Sequence, residues 1–198
     1  MRVIAGIAKG VPIKYPRGAP TRPATELVRG AIFSMLGSTD ADWSCVLDLF
    51  SGSGSLGIEA LSRGAGFVDF VDRNRRACEV IKENLERTGF SHQATIHCGD
   101  VSGTLKQLGK GCSEGKTGRY GIVIIDPPYA DRAIGAVINQ LASSSLISSD
   151  SVVVITHSSR FKLEPEYGPL VQKRELRHGD SVIAVYRLET GAASSTEG

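Results

Sequence analysis

The segment Asp48-Leu-Phe-Ser-Gly52-Ser-Gly54-Ser-Leu-Gly57 constrains this chain more than any other. An apolar run precedes it, a helix-forming run follows it, and Asp72 stands twenty positions after Gly52 at the end of the next apolar run. Gly-x-Gly-x-x-Gly between a strand and a helix lets the backbone turn tightly and approach a ligand. An acidic residue ending the second strand is placed to take ribose hydroxyls. The arrangement predicts one half of a Rossmann-like sheet holding an adenosine-containing cofactor.

The rest of the sequence agrees with such a sheet. Strands are expected over residues 45–50, 67–72, 94–98, 120–126 and 151–156, and helices over 56–63, around Ala77, Val80, Ile81 and Leu85, and through Ile134, Val137, Ile138 and Leu141. Strands alternating with helices imply a mainly parallel sheet covered on both faces. Residues 171–177 and 182–188 read as a closing antiparallel pair. Before the first strand, Leu27, Val28, Ala31, Ile32, Met35 and Leu36 mark a helix that Gly37 ends, and residues 3–15 read as a small twisted β-hairpin extension outside the main core. With 198 residues, 41% of them hydrophobic, the chain suits one domain over 1–190, with 1–20 as the extension, 109–119 as a polar loop and 191–198 as a disordered tail.

Asp48 narrows the cofactor. A carboxylate at the strand end, four residues before Gly52, suits a cationic ammonium or sulfonium group and would sit badly beside a pyrophosphate. It favours S-adenosyl-L-methionine over a nicotinamide cofactor. Asp100, after the third strand, is placed to hold the adenine amino group, to cap the helix starting near Val101, or both. Ser53, Arg73 and Val101 are further candidate cofactor contacts. Gly115-Lys116-Thr117 is no phosphate-binding loop, because the required glycine five positions earlier is Lys110.

The candidate catalytic group is Asp126-Pro127-Pro128-Tyr129, at the end of the apolar run Ile-Val-Ile-Ile. Two prolines stiffen the backbone and donate no N–H. Asp126 supplies an acceptor and Tyr129 a flat face on which a base can stack. In a doubly wound sheet the first and fourth strands meet at the switch point, which brings this group beside the glycine loop. An exocyclic base nitrogen is a poor nucleophile because its lone pair is delocalised. Hydrogen bonds from its N–H groups to Asp126 and the Pro127 carbonyl would pyramidalise it and aim the lone pair at a methyl donor. On this reading positioning matters more than basicity, and Asp126 needs no raised pKa.

The charge is uneven. The chain carries +2 overall, yet residues 1–30 hold Arg2, Lys9, Lys14, Arg17, Arg22 and Arg29 against Glu26 alone. Clustered cations attract phosphate, so Lys9, Lys14, Arg22 and Arg29 are candidate contacts to a nucleic acid. Cys45, Cys78, Cys98 and Cys112 are scattered, with no metal-ligand spacing, and read as reduced, mostly buried thiols. The start lacks the apolar core of a signal peptide and no run approaches a membrane span. The expectation is a soluble cytoplasmic protein without a metal. An oxidoreductase is disfavoured by Asp48 and residues 126–129, and a silent RNA-binding module by the retained cofactor glycines and Asp126.

On these residues the chain resembles the RsmD-type family of small-subunit (16S) ribosomal RNA guanine-N2 methyltransferases, from about Arg2 to Arg187. The matching segments are Arg2-Val-Ile-Ala-Gly6, Thr21-Arg-Pro-Ala-Thr25 with Val28-Arg29, residues 48–57, Glu59-Ala-Leu-Ser-Arg-Gly-Ala65 and residues 126–129. The resemblance implies a seven-stranded methyltransferase fold, a guanine acceptor in ribosomal RNA and cofactor contacts at Gly52, Gly54, Asp72 and Asp100; the expected partner is small-subunit ribosomal RNA or the assembling 30S particle, and the expected state a monomer. The Asp-Pro-Pro-Tyr signature is shared with adenine methyltransferases, so N6-adenine methylation of DNA or RNA is the alternative. Thr156-His157 stands where the family usually has Glu-His, and Arg177-His178-Gly179-Asp180 where it has Tyr-Gly-Asp.

Overall fold

A computed structural model describes residues 1–16, 25–115, 118–128 and 134–189. Its centre is an eight-stranded sheet. The parallel part comprises β1 (Cys45–Leu49), β2 (Phe67–Asp72), β3 (Ala94–Cys98), β4 (Ile122–Ile125) and β5 (Val152–Ser158). The antiparallel part comprises β6 (Glu166–Tyr167), β7 (Leu170–His178) and β8 (Ser181–Leu188). The spatial order β3-β2-β1-β4-β5-β8-β7-β6 reverses between β1 and β4, as expected for a switch point. The expected seven strands are joined at the edge by the two-residue β6, too short to show in any periodicity.

Chain chemistry accounts for the order of the layers. The four residues Ile-Val-Ile-Ile of β4 are all buried, as in a strand covered on both faces, whereas β7 is largely exposed. One layer contains α1 (Glu26–Gly37), α2 (Ser55–Ser62) and α3 (Arg75–Thr88), and the other α4 (Val101–Ser113) and α5 (Ile134–Ala142). Alternate residues of β5 divide between them: Val152 and Val154 join the core with Ile32, Phe33 and Leu36 of α1, while Val153 and Ile155 join Ile138 and Leu141 of α5. Each such side chain contributes about 1.5–3 kcal/mol by leaving water.

Three expectations need correction. The N-terminal segment lies within the core: Val3, Ala8 and Ile13 are buried with the α1–α3 layer. Its pairing reduces to one bridge, Arg2 with Pro12, and neighbouring backbone bonds such as Val3 N–H to Val11 O at 3.0 Å. Leu27, expected on the buried face of α1, is 74% exposed; Arg29 and Phe33 fill that face in its place. The expected loop over 109–119 is helical up to Ser113. Gly109 and Gly111 each cost a helix about 1 kcal/mol. Leu105 and Leu108 are buried beneath it, however, and Ser145 ties it down by donating to the Gly109 carbonyl and accepting from Cys112 Sγ at its own carbonyl. The tail 191–198 lies outside the described residues. Among the described residues no helix is long and apolar enough to cross a membrane.

Candidate active site

The glycine loop leaves the end of β1 in a strained conformation. Phe50 has φ +60°, in the left-handed region that costs a non-glycine residue about 1–3 kcal/mol, and Gly52 and Gly54 follow at +56° and +74°. Gly54 starts α2 without a side-chain cap. Carboxylates hold the loop from both sides. Asp72 accepts from Gly52 N–H at 2.8 Å and from Asn74 N–H at 2.8 Å, while Asp48 Oδ2 accepts from Gly57 N–H at 3.0 Å. Gly57 is required by close approach, since a Cβ there would lie 2.3 Å from the Phe70 ring.

Asp48 is the most informative group in the loop. It is 1% exposed, and its Oδ1 is buried with no hydrogen-bond partner among the described residues. Burial is the main cause that pushes its pKa up to about 8; Asp126 and Asp72 add repulsion, and the bond from Gly57 opposes it. A buried carboxylate oxygen without a donor is a place for a ligand's cation. The residues present therefore fit a cofactor carrying an ammonium or sulfonium group. Asp100 caps α4, accepting from Gly103 N–H at 2.7 Å, and Val101 opens that helix. Ser53 is buried in the loop and Arg73 follows β2 as an exposed side chain.

On the neighbouring strand, β4 pairs with β1 so that Ile125 lies beside Leu49, and Asp126 N–H donates to the Leu49 carbonyl at 3.3 Å. Asp126, Pro127 and Pro128 thus stand next to the start of the glycine loop. Burial raises the pKa of Asp126, and a hydrogen bond from the Thr156 hydroxyl to Oδ1 works against that rise. Thr156 is fully buried on β5. Tyr129 and Arg22 lie outside the described residues.

Two polar residues not singled out from sequence hold the site together. Asn84 on α3, fully buried, accepts from Lys14 N–H at 2.8 Å and donates to the carbonyls of Lys14 and of Ser53. It joins the N-terminal segment to the glycine loop. Glu59 on α2, also fully buried, accepts from the backbone N–H groups of Ile4 and Ala5 and from Arg63 Nε. Its only sequence signal was the match of residues 59–65 to the family.

The candidate RNA contacts fare unequally. Arg29 is 0% exposed, donates to the Arg2 carbonyl at 2.8 Å and pairs with Glu59 Oε2 at 3.7 Å. Desolvation lowers its pKa, with Glu59 opposing the shift. It cannot reach a phosphate and is a structural clamp, which corrects the sequence expectation. Lys14 is half-exposed and paired with Glu83. Lys9 is exposed. Of the cysteines, expected to be mostly buried, only Cys78 is buried; Cys45 and Cys112 are partly buried and Cys98 is exposed.

This geometry is that of a Rossmann-like methyltransferase: a 3-2-1-4-5 parallel sheet, a glycine loop at its switch point and an antiparallel closing hairpin. A structure of the putative methyltransferase yhhF from Escherichia coli superposes with a TM-score of 0.79 at 26% identity, covering 96% of this chain and 99% of that one. The family profile "Conserved hypothetical protein 95" matches residues 1–187, and the chain belongs to this family, the RsmD family that the sequence resemblance named. A Bacillus subtilis relative, "Putative rRNA methyltransferase YlbH", is 36% identical over 187 residues, 94% of this chain and 98% of that protein. The Escherichia coli "Ribosomal RNA small subunit methyltransferase D" is 28% identical over 197 residues, with 100% of this chain and 94% of that protein covered.

Proposed function

We propose that this protein methylates the exocyclic N2 amino group of a guanine in small-subunit ribosomal RNA, with S-adenosyl-L-methionine as methyl donor. The observation that carries this reading is the placement of Asp126 on the strand paired with that of Asp48, whose Oδ1 is buried without a hydrogen-bond partner among the described residues. The names of the relatives from B. subtilis and E. coli support ribosomal RNA as the substrate class.

The cofactor supplies an electrophilic methyl group. Asp48 holds its cationic amino acid portion, Gly52, Ser53 and Gly54 the adjoining backbone, Asp72 with Arg73 the ribose, and Asp100 with Val101 the adenine. Asp126 and the Pro127 carbonyl accept the two N–H groups of the target amine, and Pro128 keeps that acceptor pair stiff. Tyr129 stacks the base. The sequence reading required no raised pKa at Asp126. Its burial makes the carboxylate a stronger acceptor for the proton the amine sheds, and the hydrogen bond from the Thr156 hydroxyl orients it and opposes the rise in its pKa. A base within a duplex cannot reach this rim, so the target is flipped or unpaired. Lys9, which is exposed, and Arg22 remain candidate phosphate contacts.

The test is mass spectrometry of small-subunit ribosomal RNA nucleosides from cells with and without the protein. Loss of one N2-methylguanosine is expected; loss of N6-methyladenosine instead would move the assignment to the adenine enzymes.

A further inference from the structure

At the far end of β5, one residue beyond the hydroxyl that holds Asp126, a cavity of about 590 Å³ opens between the segment 159–165 and the β7–β8 hairpin. Among the described residues its lining carries Lys162, Lys173, Arg174 and Arg177 against the carboxylate of Glu175. Lys173 is already paired with Glu189, and Arg174 donates to Ser38. Lys162 and Arg177 have no carboxylate partner among the described residues. Phe161 also lines the cavity and is 36% exposed, unusual for a large aromatic side chain.

The turn that presents Phe161 is fixed from below. His157, 7% exposed, lies with Nδ1 2.7 Å from the Phe161 carbonyl and 3.0 Å from the Ser158 carbonyl. Two carbonyl acceptors place the proton on Nδ1, and Nε2 is buried without a hydrogen-bond partner among the described residues. Phe161 N–H donates back to the Ser158 carbonyl at 2.9 Å. The result is a rigid aromatic edge in a basic groove.

Unpaired cations that follow a groove, interleaved with a held aromatic ring, are how proteins bind single-stranded nucleic acid: phosphates meet the cations and a base stacks on the ring. We propose that this groove seats the RNA strand flanking the target nucleotide, with Phe161 stacking a neighbouring base and Lys162 and Arg177 holding phosphates. The proposal rests on the methyltransferase reading for the identity of the strand. It moves the principal RNA surface from the N-terminal segment, where Arg29 is buried, to the C-terminal hairpin.

The experiment measures binding of a fluorescent single-stranded oligoribonucleotide of mixed sequence to the full chain over a salt series. Each lost phosphate contact flattens the slope of log K against log salt by about 0.7 for single strands, so the double variant Lys162→Ala/Arg177→Ala is expected to lose about 1.4. Phe161→Ala is expected to weaken binding roughly 5- to 150-fold at unchanged slope. Lys106→Ala, on exposed α4, should leave both unchanged. Affinity for S-adenosylhomocysteine, measured on every variant, shows that the fold is intact. An unchanged slope in the double variant, an equal effect from Lys106→Ala, or no RNA binding by the unaltered protein at low salt overturns the proposal. So does binding of ribosomal protein in place of RNA. Methylation of ribosomal RNA is scored separately: guanine methylation with an insensitive groove refutes the groove alone, and an altered slope without methylation refutes the activity alone.

Discussion

Asp48 should make the cofactor-free protein less stable as pH rises, and Asp48→Asn should remove that loss. In the unfolded chain this carboxyl ionises near 3.8, whereas burial pushes its folded value up to about 8. A raised carboxyl pKa means the folded state binds the proton more tightly than the unfolded state does. Its contribution is therefore most favourable below the unfolded value, erodes as pH climbs, and levels off above about 8. Each pH unit in that window is worth about 1.4 kcal/mol, so the penalty at pH 7 is on the order of 4 kcal/mol, against about 1 kcal/mol at pH 4.5. Asparagine is a neutral isostere at every pH: it still accepts from Gly57 and places an N–H where the protonated acid has its O–H. Urea unfolding without cofactor should show Asp48→Asn gaining about 2–4 kcal/mol at pH 7 and little at pH 4.5. Calorimetry with S-adenosylhomocysteine should show the reverse, a loss of roughly 10- to 150-fold, the worth of a hydrogen bond to a charged group. An equal stability difference at both pH values refutes the buried, protonated carboxyl. Unchanged ligand affinity refutes the assignment of its free oxygen to the cofactor.

Asp126→Ala should abolish methyl transfer to ribosomal RNA in a radiolabelled assay while ligand affinity stays within a few-fold. Thr156→Val removes the donor that lowers the Asp126 pKa, so the acidic limb of the pH–rate profile should move to higher pH; an unmoved limb would show that the hydroxyl does not tune this carboxyl. Glu59→Ala strands Arg29 as an uncompensated buried charge and frees two N-terminal N–H groups, a loss of about 3–5 kcal/mol detectable by urea unfolding. Gly57→Ala drives a methyl group into Phe70 and should lower both the unfolding midpoint and cofactor affinity, since the same residue's N–H anchors Asp48.

The sequence by itself determined the sheet, the switch point and the adjacency of the strands that carry Asp48 and Asp126, because these depend on local pattern. An apolar run of four or five residues, a glycine triplet and a proline pair each restrict the backbone where they stand. The apolar run also placed β2 over the residues it occupies, and the apolar positions Ala77, Val80, Ile81 and Leu85 fall within α3. The fates of single polar residues were decided elsewhere. Arg29 looked like a surface cation because its partner, Glu59, lies thirty residues away and meets it only when α1 packs on α2. Leu27 was turned outward by the same packing, and α4 continued through two glycines because Ser145 and buried leucines held it. Thr156 departs from the family pattern in sequence, and only the pairing of β4 with β5 shows its hydroxyl reaching Asp126. Of the basic groove, the chain shows only the run from Lys173 to Arg177; that Lys162 and Phe161 face it is decided by tertiary packing. The charge of Lys162, from the segment 159–165, adds to that of the hairpin strand because tertiary packing brings both to line one cavity.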